Sequence, residues 1–227
     1  MSEFDEISSN YEKILDHGIF MSGEKSDYFA YNRVDHTAKL DAQFQSNSRK
    51  ILDYGCGTGG STKFLIDAFN PDTLLVADSS EMSLQILKEK HNLPQIQTIQ
   101  LNSNVTKLNC DICYCNGVFH HIPPNERKKA AKFVFDSLKE GGRFYFWENN
   151  PWNPATHLVM SRITFDRDAI KIFPFQAVKL LQNVGFEITL INYMFILPRF
   201  LKILRPLEKL ALSLPLGCQY LVLAQKP

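Results

Sequence analysis

Phe4, Ile7, Tyr11, Ile14 and Leu15 recur every three or four residues, the repeat that gathers apolar side chains on one face of a helix. A second segment of this kind carries Tyr28, Phe29, Tyr31, Val34 and Leu40. Residues 1–45 therefore read as amphipathic helices. The pattern then changes to short apolar runs separated by helix-length stretches. Strands are expected at about 50–54, 73–78, 95–101, 111–116, 143–148, 186–193 and 218–225. Helices are expected at about 60–69, 80–91, 125–139 and 174–184. Pro71-Asp72 marks a turn, Gly141-Gly142 closes the helix before the fifth strand, and Gly185 closes the one before the sixth. Alternation at this length predicts an α/β fold built on a mostly parallel sheet.

Residues 199–214 form a stripe of their own. Phe200, Ile203, Leu204, Leu207, Ala211 and Leu214 fall on one helical face, with Arg199, Lys202, Arg205 and Lys209 mostly off it. Pro206 divides the segment into two short helices. The expected use is to cover the sheet or close an acceptor pocket; the alternative is docking on an anionic membrane.

Composition narrows the field. The chain has 227 residues and a net charge of +1, so no general basic field invites nucleic acid. No linker, repeat or low-complexity segment divides it, and one domain over 1–227 is expected. Five cysteines with no paired framework suggest a reduced, cytoplasmic protein. The N-terminus lacks a signal-peptide core, and no apolar run is long enough to span a bilayer. Cys110, Cys113 and Cys115 lie ahead of His120 and His121, but their spacing fits no usual zinc pattern, so no metal is expected. The sequence leaves the oligomeric state open.

The chemistry is concentrated in Ile51-Leu-Asp-Tyr-Gly-Cys-Gly-Thr-Gly-Gly-Ser-Thr62. Gly55, Gly57 and Gly59 let the backbone take positive φ and let a ligand approach closely. The helix that follows aims its unpaired N–H groups at the same place. Gly55, Gly57 and Gly60, with Asp78 downstream, also satisfy the dinucleotide fingerprint. Asp53 inside the strand end, the third alternate glycine at Gly59, and about fifty residues ahead of the loop argue against it.

The segment resembles motif I of the class I S-adenosylmethionine-dependent methyltransferases. That resemblance covers roughly residues 45–227. It implies a Rossmann-like sheet of seven strands with an antiparallel last strand, helices on both faces, a helical lid over 1–45, and substrate-side inserts at 149–172 and 194–217. It also implies S-adenosylmethionine as cofactor, held by the loop Asp53, Gly55, Cys56, Gly57 and Gly59. Asp78 ends the second strand, where open α/β sheets bind ligands, and is expected on the ribose hydroxyls. Capping of the next helix is its alternative, with Ser79 and Ser80 as competitors for the cap. Met82 is placed on the adenine or in the core. Asn102 and Ser103, with Asn104, stand where many relatives have an acid near the adenine amino group. Asn116 is expected beside the methionine part.

Three residues at adjacent strand ends are candidate general bases: His120 first, Glu148 second, His121 third. The alternative is that one histidine orients the loop and the other packs. The Glu-Asn-Asn-Pro run at 148–151 and the Pro-Leu-Gly-Cys-Gln-Tyr run at 215–220 resemble a bacterial small-molecule and glycan branch of the family. The implied reaction is methylation of a small-molecule acceptor, foremost an O-methylation of a sugar or other metabolite. A quinone- or lipid-type acceptor near a membrane is the runner-up, and a cofactor-binding regulator without turnover is the alternative of another class.

Overall fold

The computed structural model describes residues 10–44, 49–101, 107–167 and 169–227. Two helices, α1 (Tyr11–Ile19) and α2 (Ser26–Asp41), precede the sheet. Then come β1 (Lys50–Tyr54), α3 (Thr62–Phe69), β2 (Thr73–Asp78), α4 (Glu81–Lys90), β3 (Ile96–Gln100), β4 (Cys110–Asn116), α5 (Arg127–Ser137) and β5 (Leu138–Asn149). The chain ends with α6 (Pro154–Arg162), α7 (Pro174–Gln182), β6 (Glu187–Met194), a 3-10 segment at Arg199–Ala211, and β7 (Gln219–Gln225). The seven strands lie in the order β3-β2-β1-β4-β5-β7-β6. Only β7 runs antiparallel to its neighbours, as the resemblance implied.

The inner strands β1, β2, β4, β5 and β7 carry runs of buried apolar residues because both sheet faces are covered there. Leu52, Leu75, Ala77, Cys113 and Cys115 point to the face packed by α5 and α7. Ile51, Leu74, Val76, Ile112 and Tyr114 point to the face packed by α2, α3 and α4. The cysteines thus serve as small core hydrophobes; all five cysteines are unpaired.

Three expectations are corrected. The helix before β5 stops at Ser137, and Gly141-Gly142 belong to the irregular start of the strand. Gly141 sits at φ +71°, and a side chain on Gly142 would meet the Lys139 carbonyl at 2.8 Å. Helix α2 is not a lid. It lies on the sheet, where the Trp147 indole N–H donates to Thr37 Oγ1 (3.1 Å) and Arg143 pairs with Asp41. The segment at 199–211 neither covers the sheet nor lines the cleft: none of its residues is fully buried. It kinks at Leu201 rather than at Pro206 and is wound with three residues per turn, which redistributes its faces.

Candidate active site

Strands β1, β2, β4 and β5 end together at one rim. There the chain forms a cleft of about 420 Å³, within the usual range for small-molecule sites. Its walls include Gly55, Gly57, Asp78, Asn116, His121 and, from α1, Tyr11.

Local chemistry explains why the glycine loop turns here. Gly55 lies at φ +73°, and a Cβ on it would come within 2.3 Å of a Val118 methyl, so Val118 closes over it only because it is glycine. Gly59, at φ +84°, faces Leu87 at 2.8 Å instead, and lies outside the cleft lining. It serves the packing of the loop on α4. Cys56 likewise lies beneath the loop, off the cleft surface.

Asp78 is the organising acid of this half. Its two carboxylate oxygens accept the Gly57 N–H (2.9 Å) and the Ser80 N–H (2.8 Å). The cap of α4 falls to Ser80, whose hydroxyl accepts the Ser83 N–H at 3.1 Å. Asp78 is therefore left facing the cleft beside the glycine turn. Met82 is 45% exposed, outside both the core and the cleft lining. Asn102 and Ser103 lie outside the described residues.

Two buried acceptors beside the cleft have no hydrogen-bond partner, Asn116 Oδ1 and Asp53 Oδ2. A buried unsatisfied oxygen is costly, and a bound donor would relieve it. These acceptors, Asp78 and the glycine turn together fit an adenosyl group bearing an amino acid. Burial, and then the charge of Asp78, push the Asp53 carboxyl from 3.8 up to about 7. The raised value means that the folded state holds this proton more tightly than the unfolded one. The stability linked to it is present below about 4 and is lost as the pH rises through about 7. Asp53→Asn should abolish that part of the fall. Urea unfolding at pH 5 and pH 7.5 should show the native protein losing about 2–4 kcal/mol more than the variant. Parallel curves would mean an Asp53 already ionised at pH 5.

The opposite wall reverses the expected order of the candidate bases. His120 is only 4% exposed and does not line the cleft. Its Nδ1–H donates to Glu148 Oε2 at 2.6 Å, and its Nε2–H donates to Asp166 Oδ1 at 3.3 Å. A ring donating to two carboxylates must be doubly protonated. Burial opposes that charge, but Glu148 and Asp166 overcome it and hold His120 at about 10. Burial likewise opposes ionisation of Asp166, and the bonds from His120 and His121 bring it down to about 2. A cation with both nitrogens committed is no general base.

Glu148 is 1% exposed and equally committed. It accepts the Phe119 N–H (2.7 Å), the His120 N–H (3.3 Å), the His120 ring and the Asn149 N–H (3.3 Å). Four donors fill the capacity of one carboxylate. The pair pins the loop after β4 to the end of β5, which is the orienting role held open for one histidine.

His121 remains. It lines the cleft, and its Nε2 lies 3.2 Å from Asp166 Oδ1. Ligand-type atoms of His120, His121 and Asp166 lie within 4.8 Å of one another, bonded among themselves. Asp166 and the ring stacked on Tyr11, Phe165 at 4.9 Å, were missed from sequence. They come from a short turn at Thr164–Asp166 within the 149–172 insert, where no periodicity or motif marks them. Of the tyrosines on the two N-terminal helices, Tyr11, Tyr28 and Tyr31, Tyr11 alone lines the cleft. Tyr28 packs on Phe29 and Phe195, and Tyr31 packs on Phe64.

Residues 51–142 match the methyltransferase-domain family model. A trans-aconitate 2-methyltransferase from Rhodopseudomonas palustris is 27% identical over 120 residues, 52% of this chain and 45% of that protein. The chain thus spans less than half the length of that relative, and 44% of a second one from the same species. Among solved structures, a chain of the complex between the Haloferax volcanii Trm112 methyltransferase activator and a methyltransferase superposes with a TM-score of 0.67 at 15% identity, covering 100% of this chain and 99% of that one. An S-adenosylmethionine-dependent methyltransferase from Mesorhizobium loti gives 0.61 at 17% identity, covering 85% and 100%. With the glycine turn, the acid at the end of β2 and the single antiparallel strand at β7, the chain has the fold of S-adenosylmethionine-dependent methyltransferases, and its residues 51–142 match the methyltransferase-domain family.

Proposed function

We propose that the chain transfers a methyl group from S-adenosylmethionine to a hydroxyl of a small molecule, a sugar or comparable metabolite. One observation supports this reading above others. The cleft joins a glycine and Asp78 cradle on one wall to His121, backed by Asp166, on the other. Bound S-adenosylmethionine would supply an electrophilic methyl group. Asp78 would accept hydrogen bonds from its ribose, and Asp53 and Asn116 would take its other donors. Tyr11 on α1 would hold the acceptor against His121. Burial and the charge of Asp166 raise the Tyr11 hydroxyl above its ordinary value, which keeps it a donor. Much of the rate would come from orientation, which can supply on the order of 7–11 kcal/mol. His121 would take the acceptor proton as the bond forms.

Calorimetry tests the cofactor half. The protein should bind S-adenosylmethionine and S-adenosylhomocysteine and should not respond to NAD. Asp78→Ala should weaken S-adenosylhomocysteine by about tenfold or more, since hydrogen bonds to a charged group are worth roughly 1.5–3 kcal/mol. A variant that melts earlier yet binds normally would reduce Asp78 to holding Gly57 and Ser80. Transfer of labelled methyl into extracts of the source cell then tests for turnover and finds the acceptor.

A further inference from the structure

The 3-10 segment is amphipathic with its faces inverted. Arg205 turns inward to Glu24 (2.9 Å) and its guanidinium covers the Tyr28 ring. Glu208 turns inward to accept the Ile196 and Leu197 N–H groups. The apolar rows point to solvent: Phe200 is 79% exposed, Ile203 85% and Leu210 82%, with Leu204 and Leu207 beside them. Single exposed hydrophobes are ordinary, whereas a contiguous row marks a surface that something covers.

The charge around the row indicates what covers it. Arg199–Ala211 holds four cations and one acid in a chain of net charge +1, and the acid is turned inward. Lys202 and Lys209 stand exposed among the apolar side chains. Long cationic side chains beside buried apolar ones suit the boundary between acyl chains and anionic headgroups.

Position gives the second argument. Met194 and Asn149 both pair with Gln219, so the segment after β6 emerges at the same end of the sheet as β5, the end that bears the cleft. A separate element adds to the same rim. Asn153 Nδ2 donates to the Leu216 carbonyl at 2.6 Å, which ties the end of this segment to the loop of Trp152. Trp152 clusters there with Phe173 and Phe175, and both Trp152 and Phe175 are largely exposed. Tryptophan at such a level is the usual side chain of a membrane interface. No helix among the described residues is long and apolar enough to cross a membrane.

We propose that residues 199–216 with Trp152 dock this face on an anionic lipid bilayer. The cleft then opens toward the headgroups, and the acceptor hydroxyl belongs to a sugar or comparable small group carried at that level on a lipid. The docking stands on the surface alone; the presentation of an acceptor rests on the methyl-transfer reading above.

Flotation with vesicles of phosphatidylcholine and phosphatidylglycerol at 70:30, against phosphatidylcholine alone, tests it. The full chain should float with the anionic vesicles and partition at least about tenfold less into neutral ones, with binding falling as salt screens the cations. Ile203→Ser/Leu207→Ser/Leu210→Ser should lose at least about tenfold in partitioning while binding S-adenosylhomocysteine as before, because these residues touch no part of the cleft. Lys202→Glu/Lys209→Glu should lose the preference for anionic lipid. Failure to float with either vesicle, or equal flotation of the triple variant, overturns docking. So does a native dimer that the triple variant converts to monomer with no vesicle binding in either form, which would assign the row to a second copy. Failure of the native protein to bind S-adenosylhomocysteine would sink the methyl-transfer reading and leave the flotation result standing.

Discussion

Glu148→Ala is expected to lower folding stability by about 3–5 kcal/mol, the usual cost of removing one partner from a buried ion pair. In a chain of this size that corresponds to roughly 6–20 °C in Tm. The loss arises because His120 keeps its charge in the interior with only Asp166, at 3.3 Å, to balance it, while the Phe119 and Asn149 N–H groups lose their acceptor. The pH dependence carries the same signature. His120 is held at about 10 in the native fold, above its ordinary 6.5. The stability linked to that proton is complete below about 6.5 and is lost as the pH rises through about 10. Asp166, held at about 2, contributes with the opposite sign: its share is complete above about 3.8 and is lost as the pH falls through about 2. In Glu148→Ala the alkaline decline should begin at lower pH. Thermal melts across pH 5 to 10 check both points. A variant that melts like the native protein but does not turn over would restore Glu148 as a catalytic residue.

That reversal shows where the sequence was legible. Alternating apolar runs and glycine-marked turns predicted all seven strands, because a sheet covered on both faces demands continuous Val, Ile, Leu, Cys and Phe. The wall of the cleft that carries Gly55, Gly57 and Asp78 was legible for a similar reason. It is built within two consecutive β–α turns, so its chemistry lies close together in the chain. The opposite wall was not. His120, Glu148 and Asp166 are brought together across 46 residues of sequence. Three titratable residues near strand ends look alike in one dimension, and only burial separates the structural pair from the residue that faces the cleft. The 199–214 stripe failed on winding. An apolar face drawn for 3.6 residues per turn presumes a core beneath it, whereas three per turn places Arg205 and Glu208 inward and leaves the leucines outside.

His121→Ala is expected to lower the single-turnover rate by about 100- to 10,000-fold at saturating cofactor, the range for loss of a general base. His121 is the one member of the histidine–carboxylate cluster that lines the cleft. Its bond to Asp166 fixes the ring against the turn that also carries Phe165, the ring on which Tyr11 stacks. A hydroxyl acceptor held between Tyr11 and His121 must lose its proton as the new bond to carbon forms. The glycine turn and Asp78, proposed to hold the cofactor, are on the other wall, so S-adenosylhomocysteine affinity should stay near the native value. Its melting temperature should fall far less than that of Glu148→Ala, since the His121 side chain is partly exposed and Glu148 is buried. The acceptor found by labelled-methyl transfer serves as substrate for all of these measurements. A near-native rate in His121→Ala would mean that the protein works by orientation alone, and the acceptor would then be a carboxylate or an activated carbon rather than an alcohol.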